Sequence, residues 1–254
     1  MRKGKVVAVA GKGGTGKTAI AALLIRELLN ADTTGTSTIL AVDADADSNL
    51  PEALGTTYER TVGDIREGLL EEKQRDFALD LMARFEGKIA AIITEEDRYD
   101  LLVMGRPEGP GCYCPVNHLI RKIIDTLTRN YDYTIIDCEA GLEHLSRRTT
   151  RDVDLMLVVL DTTVKSIKTA LRLREIAAEI EVDVKRLMLI ANKIPEGAEA
   201  RTRAAVQTYG LELDSIVPYD PLVPEYDAKG IPLMQLPEDA PAVIAIRALA
   251  EKIR

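Results

Sequence analysis

The sequence lacks three features, and each absence excludes a class of protein. No stretch approaches 18 consecutive apolar residues, the length that a helix needs to cross a bilayer, so we expect no membrane-spanning helix. Cysteine is scarce. Three cysteines in 254 residues are too few for a disulfide framework, and they indicate a reducing compartment and thiol or metal chemistry. Basic charge is not in excess. A net charge of −8 argues against general nucleic acid binding, which requires a basic face.

The sequence also lacks an internal repeat, a low-complexity linker and the small-residue cleavage site of a secretory leader. A length of 254 residues suits one large α/β domain, and we therefore expect residues 1–254 to form a single domain. Together with the composition, the missing leader predicts a cytoplasmic protein.

Short apolar runs alternate with helical patterns along the whole chain. The runs are rich in branched residues and bounded by polar ones, which is typical of parallel strands buried on both faces. They cover Lys5–Ala10, Thr38–Val42, Asp100–Met104, Tyr133–Ile136, Leu155–Leu160 and Leu187–Ala191. The helical patterns cover Ala19–Leu29, Leu119–Thr128, Ser166–Ile180, Arg201–Tyr209 and Ala240–Ile253. We predict an α/β fold with a doubly wound, mostly parallel sheet, helices on both faces, and ligands at the carboxyl ends of the strands.

The first apolar run leads directly into Gly11–Thr18, written GKGGTGKT, which is the phosphate-binding P-loop. Glycines let backbone N–H groups converge on anionic oxygens, and the helix that follows points its positive end at the same phosphates. Lys17 would reach the β- and γ-phosphates, and the Thr18 hydroxyl would bind Mg²⁺. The sequence therefore predicts a nucleoside triphosphate site, in which the nucleotide contacts are Gly13, Gly14, Thr15, Gly16, Lys17, Thr18 and Ala19.

A second lysine, Lys12, lies inside the loop. The positive charges of two lysines this close together would repel each other unless a polyanion or a second subunit bound one of them. This loop resembles that of the deviant P-loop ATPases, the class that contains MinD, ParA, the nitrogenase iron protein and several metal-centre maturation factors. The resemblance implies a homodimer that closes over two ATP molecules. Each Lys12 would reach into the partner's site and stabilise charge on the transferring phosphoryl group.

The same resemblance assigns roles to acidic residues that follow two of the strands. Asp43, Asp45 and Asp47 come after the second strand, the position of switch I in this class. By position, Asp45 orients the attacking water and Asp43 helps to hold the Mg²⁺ shell, while Asp47 is either a sensor or a solvated side chain. In the switch II position, Asp137 would bind Mg²⁺ through water, and Gly141 would offer its N–H to the γ-phosphate.

Two later segments are candidates for the base pocket. Asn192 and Lys193 follow the sixth predicted strand, where this class places adenine, and an asparagine amide offers both a donor and an acceptor. The segment Val217–Asp220, which contains Pro218 and Tyr219, is a second, weaker candidate.

Cys112 and Cys114 flank Tyr113 in a loop rich in glycine and proline. The bend of such a loop can point two thiolates to one side, and two thiolates are half of a tetrahedral site for Zn²⁺ or another soft-ligand metal. The chain has no second pair, so a four-sulfur site needs another copy, and a homodimer with its twofold axis through the metal would supply it. Two buried, apolar-like cysteines are the alternative. Cys138 is predicted to be structural.

Taken together, these motifs resemble the CooC-type nickel-insertion ATPases that mature carbon monoxide dehydrogenase and acetyl-CoA synthase. The resemblance covers nearly the whole chain, including the loop, the switch I aspartates, the Cys112–Cys114 pair and the switch II run to Leu145. It implies that Ni²⁺ binds at the dimer interface, where Zn²⁺ could substitute, and is delivered to a client nickel enzyme in step with the ATP cycle. Thr15 and Ala19 depart from the family pattern, since valine and threonine are common there. The Ala19 departure removes one hydroxyl contact to the α-phosphate.

Other functions remain open from the sequence. Residues 104–112 resemble the first ligand loop of the nitrogenase iron protein, and four thiolates across a dimer could hold a [4Fe–4S] cluster. That family's second ligand follows switch II, where this chain has Gly141 and Leu142. A positioning protein of the MinD or ParA type would have no use for the cysteine pair. His118 and His144 are either further metal ligands or surface side chains.

Overall fold

The computed structural model describes residues 4–65, 87–106, 122, 124–139, 152–179 and 183–254. The strands in these ranges are β1 Lys5–Gly11, β2 Ile39–Ala44, β3 Thr94–Glu95, β4 Tyr99–Val103, β5 Tyr133–Cys138, β6 Asp152–Val153, β7 Leu155–Leu160, β8 Asp183–Val184, β9 Leu187–Ile194 and β10 Ser215–Pro218. The α-helices are α1 Lys17–Ala31, α2 Leu50–Leu54, α3 Val164–Glu179, α4 Glu199–Gln207, α5 Leu222–Ala228 and α6 Pro241–Ile253. Short 3₁₀ turns occupy Thr128–Asn130 and Leu233–Gln235.

Eight of these strands form one sheet in the order β10-β9-β7-β1-β5-β2-β4-β3. Every neighbouring pair is parallel except β3 and β4 at one edge, which are antiparallel. β6 and β8 pair separately as a two-stranded parallel ribbon. The chain starts at the middle of the sheet and winds towards both edges, as predicted, and this places the carboxyl end of β1 between those of β5 and β7.

Alternating side chains of β1 pack into two hydrophobic cores, one on each face of the sheet. Val7 and Val9 join the core that contains α1 and α6, whereas Val6 and Ala8 join the core that contains α3. These side chains are at most 2 % exposed. Burial on both faces explains why the strands read as unbroken apolar runs rather than as alternating patterns.

The C-terminal helix α6 closes the face that carries α1. Its buried stripe is Val243, Ile246, Leu249 and Ile253, the stripe that helical spacing predicts. Pro241 stands at the first turn of the helix, where its missing N–H leaves no hydrogen bond unmade. α6 packs on α1 and β10 and so fixes the helix that carries the P-loop.

The structure extends several predicted elements and adds short ones. β9 continues to Ile194 rather than ending at Ala191, so Asn192 and Lys193 belong to the strand. β3, β6, β8, β10, α2 and α5 were not predicted, because runs of two to seven residues have too little periodicity to be recognised. The predicted helix Leu119–Thr128 lies partly outside the described residues, and its described part is helical at 124–127.

In the described part of the chain, no helix has the length and apolar character that a membrane crossing demands.

Candidate functional site: a nucleotide site at the carboxyl edge of the sheet

The P-loop connects β1 to α1 and wraps the first turn of that helix. Gly16 is the N-cap residue of α1 and adopts φ 89° and ψ 32°, a left-handed conformation that favours glycine. Its carbonyl accepts the first helical hydrogen bond from the Ile20 N–H at 3.0 Å. The N–H groups of the first turn have no partner within a helix, so they are free to bind an anion, and the helix dipole favours negative charge there.

Close packing explains a second glycine of the loop. A Cβ on Gly11 would lie 2.3 Å from the carbonyl oxygen of Val159 on the neighbouring strand β7, closer than side-chain atoms tolerate. Gly11 also has φ 153°. The strand can therefore bend into the loop at this point only without a side chain.

Within the loop, Thr15 closes a turn onto Lys12. Its N–H and its hydroxyl both donate to the Lys12 carbonyl, at 3.3 and 2.8 Å. The Thr15 hydroxyl therefore stabilises the turn of the loop. Lys12 is partly exposed, whereas Lys17 is only 7 % exposed. The exposure of Lys12 is what a contact with a second subunit requires.

Thr18 and Asp137 meet beneath the loop. The Thr18 hydroxyl donates to Asp137 Oδ2 at 2.6 Å, while the buried Oδ1 has no hydrogen-bond partner. Burial raises the pKa of Asp137 to about 7, and the hydrogen bond from Thr18 opposes that rise. An unpartnered, buried carboxylate oxygen next to a threonine hydroxyl fits a Mg²⁺ site. Two of the three residues that the sequence assigned to magnesium, Thr18 and Asp137, are thus in contact although they lie 119 positions apart.

Asp43 is also buried, but backbone groups engage both of its oxygens. Oδ1 accepts from the Asp45 N–H at 3.0 Å, and Oδ2 accepts from the Leu50 N–H at 2.9 Å. Asp43 is paired in register with Asp137 on the adjacent strand. Burial raises its pKa to about 6, against the lowering effect of the two N–H groups. This side chain therefore organises the start of α2 and the switch I turn, a role that the sequence did not predict.

Asp45 and Asp47 lie in the turn that follows β2. Asp45 Oδ1 accepts from the Asp47 N–H at 3.1 Å, and its carbonyl accepts from the Ser48 N–H at 3.3 Å. Asp45 is partly buried and Asp47 is exposed. Among the described residues, no group of three or more histidine, cysteine, aspartate or glutamate side chains could hold a metal by itself. A Mg²⁺ ion here would therefore need nucleotide phosphates and water as further ligands, which is its usual coordination in such sites.

A cavity of about 470 Å³ opens beside the first turn of α1, a volume suited to a small ligand. Its lining includes Thr18 and Ala19 as well as Pro218 and Tyr219. Tyr219 is 54 % exposed, so its ring is free to cover a base. Part of the predicted phosphate site and the predicted base site thus border one space. Asp220 of the predicted base segment also lines the cavity. Lining residues that the sequence did not predict come from α2, α5 and their flanks, and include Asn49, Glu52, Val223, Asp227 and Ile231.

Asn192 and Lys193 line the same cavity, but their polar groups bond to the P-loop. Asn192 Nδ2 donates to the Thr15 carbonyl at 2.8 Å, and Lys193 Nζ donates to the Gly14 carbonyl at 3.0 Å. The sequence predicts that both residues contact the base. It does not predict their hydrogen bonds to the P-loop, because residues separated by 177 and 179 positions share no local sequence pattern.

Three predicted site residues, Cys112, Cys114 and Gly141, lie outside the described residues. Cys138 is described, at the end of β5, where it is 2 % exposed and its thiol donates to the Ile136 carbonyl at 3.7 Å. Burial raises the pKa of its thiol. A protonated, buried thiol is a structural group, in agreement with the sequence-based prediction for Cys138.

Comparison with known proteins gives the chain a family. Residues 6–233 match the CobQ/CobB/MinD/ParA nucleotide-binding domain. The chain belongs to this family. It is a P-loop ATPase.

Relatives with similar sequences support this assignment. An uncharacterized ATP-binding protein of Methanocaldococcus jannaschii is 47 % identical over 251 residues, which is 98 % of each chain. The carbon monoxide dehydrogenase accessory protein CooC of Rhodospirillum rubrum is 33 % identical over 202 residues, 74 % of each chain. Among solved structures, the MinD cell division protein of Aquifex aeolicus superposes with a TM-score of 0.70 at 21 % identity, over 98 % of this chain and 96 % of that one. At that identity the likeness shows the fold alone.

Proposed function

We propose that this ATPase is a nickel metallochaperone, which carries Ni²⁺ on a site shared by two copies and inserts it into carbon monoxide dehydrogenase or acetyl-CoA synthase. The observation that carries the proposal is the Cys112–Cys114 pair in a chain 33 % identical to a carbon monoxide dehydrogenase accessory protein. Nickel is the cargo of this cycle. Each chain offers two adjacent thiolates, and a borderline-soft divalent ion takes four donors, so two chains complete one site.

The ATPase half of the cycle uses residues gathered at the carboxyl edge of the sheet. Lys17 and the N–H groups of the first turn of α1 bind the phosphates, and Lys12 of each copy acts in its partner's site. Asp45 orients the attacking water, while Thr18 and Asp137 would hold Mg²⁺ and Asp43 would help to hold its shell. When bound, that ion would neutralise negative charge on the nucleotide phosphates.

Contacts at the end of β4 support a coupling between the nucleotide and the cargo. The chain segment that leads to the cysteine pair leaves the sheet there, next to β2. The Met104 N–H donates to the Asp43 carbonyl at 2.8 Å. A Cβ on Gly105, which has φ 66°, would lie 2.5 Å from the Thr61 hydroxyl, so this exit from the strand is closely packed. A rearrangement of switch I would therefore act on Met104 and Gly105, from which the chain continues in sequence to Cys112.

The burial of Cys138 removes it as a ligand both from the nickel proposal and from the iron–sulfur alternative. Cys138 points its thiol into the protein and offers no ligand to a surface cluster. A cluster would then depend on Cys112 and Cys114 alone, as the nickel site does. The absorption spectrum separates the two possibilities, because an iron–sulfur protein is brown and a nickel-free carrier is colourless.

Metal analysis combined with analytical ultracentrifugation tests the shared site. Protein loaded anaerobically with Ni²⁺ should contain one metal per dimer, and Cys112→Ser or Cys114→Ser should abolish stoichiometric binding. Cys138→Ala is the matched control and should still bind metal. Zn²⁺ should compete effectively, and the affinity should fall at lower pH because the thiols must lose protons. One metal per monomer, or tight binding by Cys112→Ser, contradicts the proposal.

Co-purification identifies the client. Tagged protein should retain one of the two nickel enzymes, and addition of ATP with loaded protein should raise that enzyme's nickel content and activity. Lys17→Ala should bind Ni²⁺ normally but fail in this transfer, because it lacks the charge that binds the β- and γ-phosphates. Transfer that proceeds equally with and without ATP would contradict a metallochaperone driven by hydrolysis.

A further inference from the structure

Two side chains of β9 donate hydrogen bonds to backbone carbonyls of the P-loop. Asn192 Nδ2 and Lys193 Nζ reach the carbonyls of Thr15 and Gly14 at 2.8 and 3.0 Å. The two acceptors are consecutive residues of the loop, and the two donors are consecutive residues of the strand. Asn192 is buried, with 6 % of its surface exposed. Because its amide donates one N–H to the Thr15 carbonyl, that N–H does not bind a base.

Peptide geometry connects these contacts to phosphate binding. The Thr15 carbonyl and the Gly16 N–H belong to one planar trans peptide and point in opposite directions. A hydrogen bond that draws the carbonyl towards β9 therefore turns the Gly16 N–H away from β9. Backbone N–H groups of such a glycine-rich loop bind the phosphates, so fixing the Thr15–Gly16 peptide fixes one of these donors.

Close packing leaves this arrangement little freedom. A Cβ on Gly16 would lie 2.4 Å from Asn192 Nδ2 and 3.3 Å from Lys193 Cε, so the two side chains lie directly against the loop. Lys193 itself has φ 58°, a left-handed conformation that is unfavourable for a residue with a side chain. A strained backbone at a position whose side chain reaches a functional loop points to a role for that side chain.

We infer that Asn192 and Lys193 clamp the P-loop in its phosphate-binding shape, with Lys193 acting as a positioning residue through the Gly14 carbonyl and not as a contact to the base. This clamp concerns the ATPase cycle alone. It holds whether the cargo is nickel or another metal, and the experiment below contains no metal cargo.

The test compares binding of Mg-ATP with binding of Mg-tripolyphosphate, which has the phosphates without a base. Isothermal titration calorimetry of Lys193→Met should show both ligands weakened by a similar factor, about 5- to 30-fold, the loss expected for one charge-assisted hydrogen bond. Lys252→Met is the matched control. Its Nζ also donates to a backbone carbonyl, that of Asp214 at 2.7 Å, and its loss should leave both affinities unchanged.

A second variant separates the contact from the backbone strain. Lys193→Gly relieves the left-handed conformation but lacks the ammonium, so its melting temperature should equal or exceed that of the wild type while both affinities fall as in Lys193→Met. Lys193→Arg should recover part of the affinity, and hydrogen exchange should show reduced protection of the loop in the Met variant. Weakened ATP binding with unchanged tripolyphosphate binding would assign Lys193 to the base and overturn the clamp. Unchanged binding of both ligands, or normal binding by Lys193→Gly, would overturn it as well.

Discussion

The buried carboxylates beneath the P-loop should make the stability of the nucleotide-free protein depend on pH. Asp137 and Asp43 are both nearly inaccessible to solvent, and burial raises their pKa values to about 7 and about 6 from an ordinary 3.8. Desolvation disfavours the ionised form of a carboxyl group. Without Mg²⁺, ionisation of this pair therefore costs free energy that only the folded state bears.

The sign of the effect follows from the two raised pKa values. A folded state that holds a proton more tightly than the unfolded chain is stabilised fully below the unfolded pKa and loses that stability as the pH rises through the folded pKa. The window here runs from about pH 4 to about pH 7. Ionisation of Asp137 lowers the free energy of unfolding by about 2 kcal/mol between about pH 5.5 and about pH 7.5. Ionisation of Asp43 lowers it by about 1 kcal/mol more. For a chain of this size, the stability lost on ionisation of Asp137 alone lowers the melting temperature by about 4 to 8 °C.

Thermal unfolding in chelator, with and without an excess of Mg²⁺, measures this effect. Wild-type protein should melt at a lower temperature at the higher pH, and Mg²⁺ should restore stability only there, because the cation binds the ionised carboxylates. Asp137→Asn keeps the acceptor for Thr18 and removes the charge, so it should lose most of the pH dependence. Asp47→Asn, an exposed residue of the same region, is the control and should behave as wild type. Greater stability of the Mg²⁺-free wild type at the higher pH would refute the reasoning.

Three further pairs of substitutions test the site. Lys17→Ala should abolish ATP binding, whereas Lys12→Ala should bind ATP but fail to dimerise and hydrolyse it; wild-type turnover by Lys12→Ala would exclude a role for this lysine in the partner's site. Asp45→Asn should accumulate an ATP-bound dimer with strongly slowed hydrolysis. Asp43→Asn should raise the Mg²⁺ concentration needed for half-maximal turnover, because an amide has one acceptor oxygen for two N–H groups; titrations in which the two variants exchanged behaviour would reverse these roles. Gly11→Ala should lower the free energy of unfolding by about 1 to 3 kcal/mol because of the contact with Val159, while Gly13→Ala, which faces open space, should leave the melting temperature unchanged.

The sequence determined those features that arise within a short stretch of chain. The P-loop is one strand, one glycine-rich turn and one helix in succession, so its eight residues identify the phosphate site before any folding is considered. The buried strands are readable for the same reason, since burial on both faces leaves a continuous apolar run. Thr18 and Asp137 were each assigned to Mg²⁺ from their own local motifs, and the structure brings them to 2.6 Å.

Only the tertiary structure decided what the polar groups around that site do. Asn192 and Lys193 end a strand that lies two places from β1 in the sheet, so their donors reach the P-loop across 177 and 179 residues of sequence. Asp43 bonds to the Leu50 N–H because α2 folds back over the end of β2. Such contacts depend on the order and spacing of strands, which a local pattern does not encode. Local patterns specify which elements form, whereas long-range packing specifies which side chains meet between them.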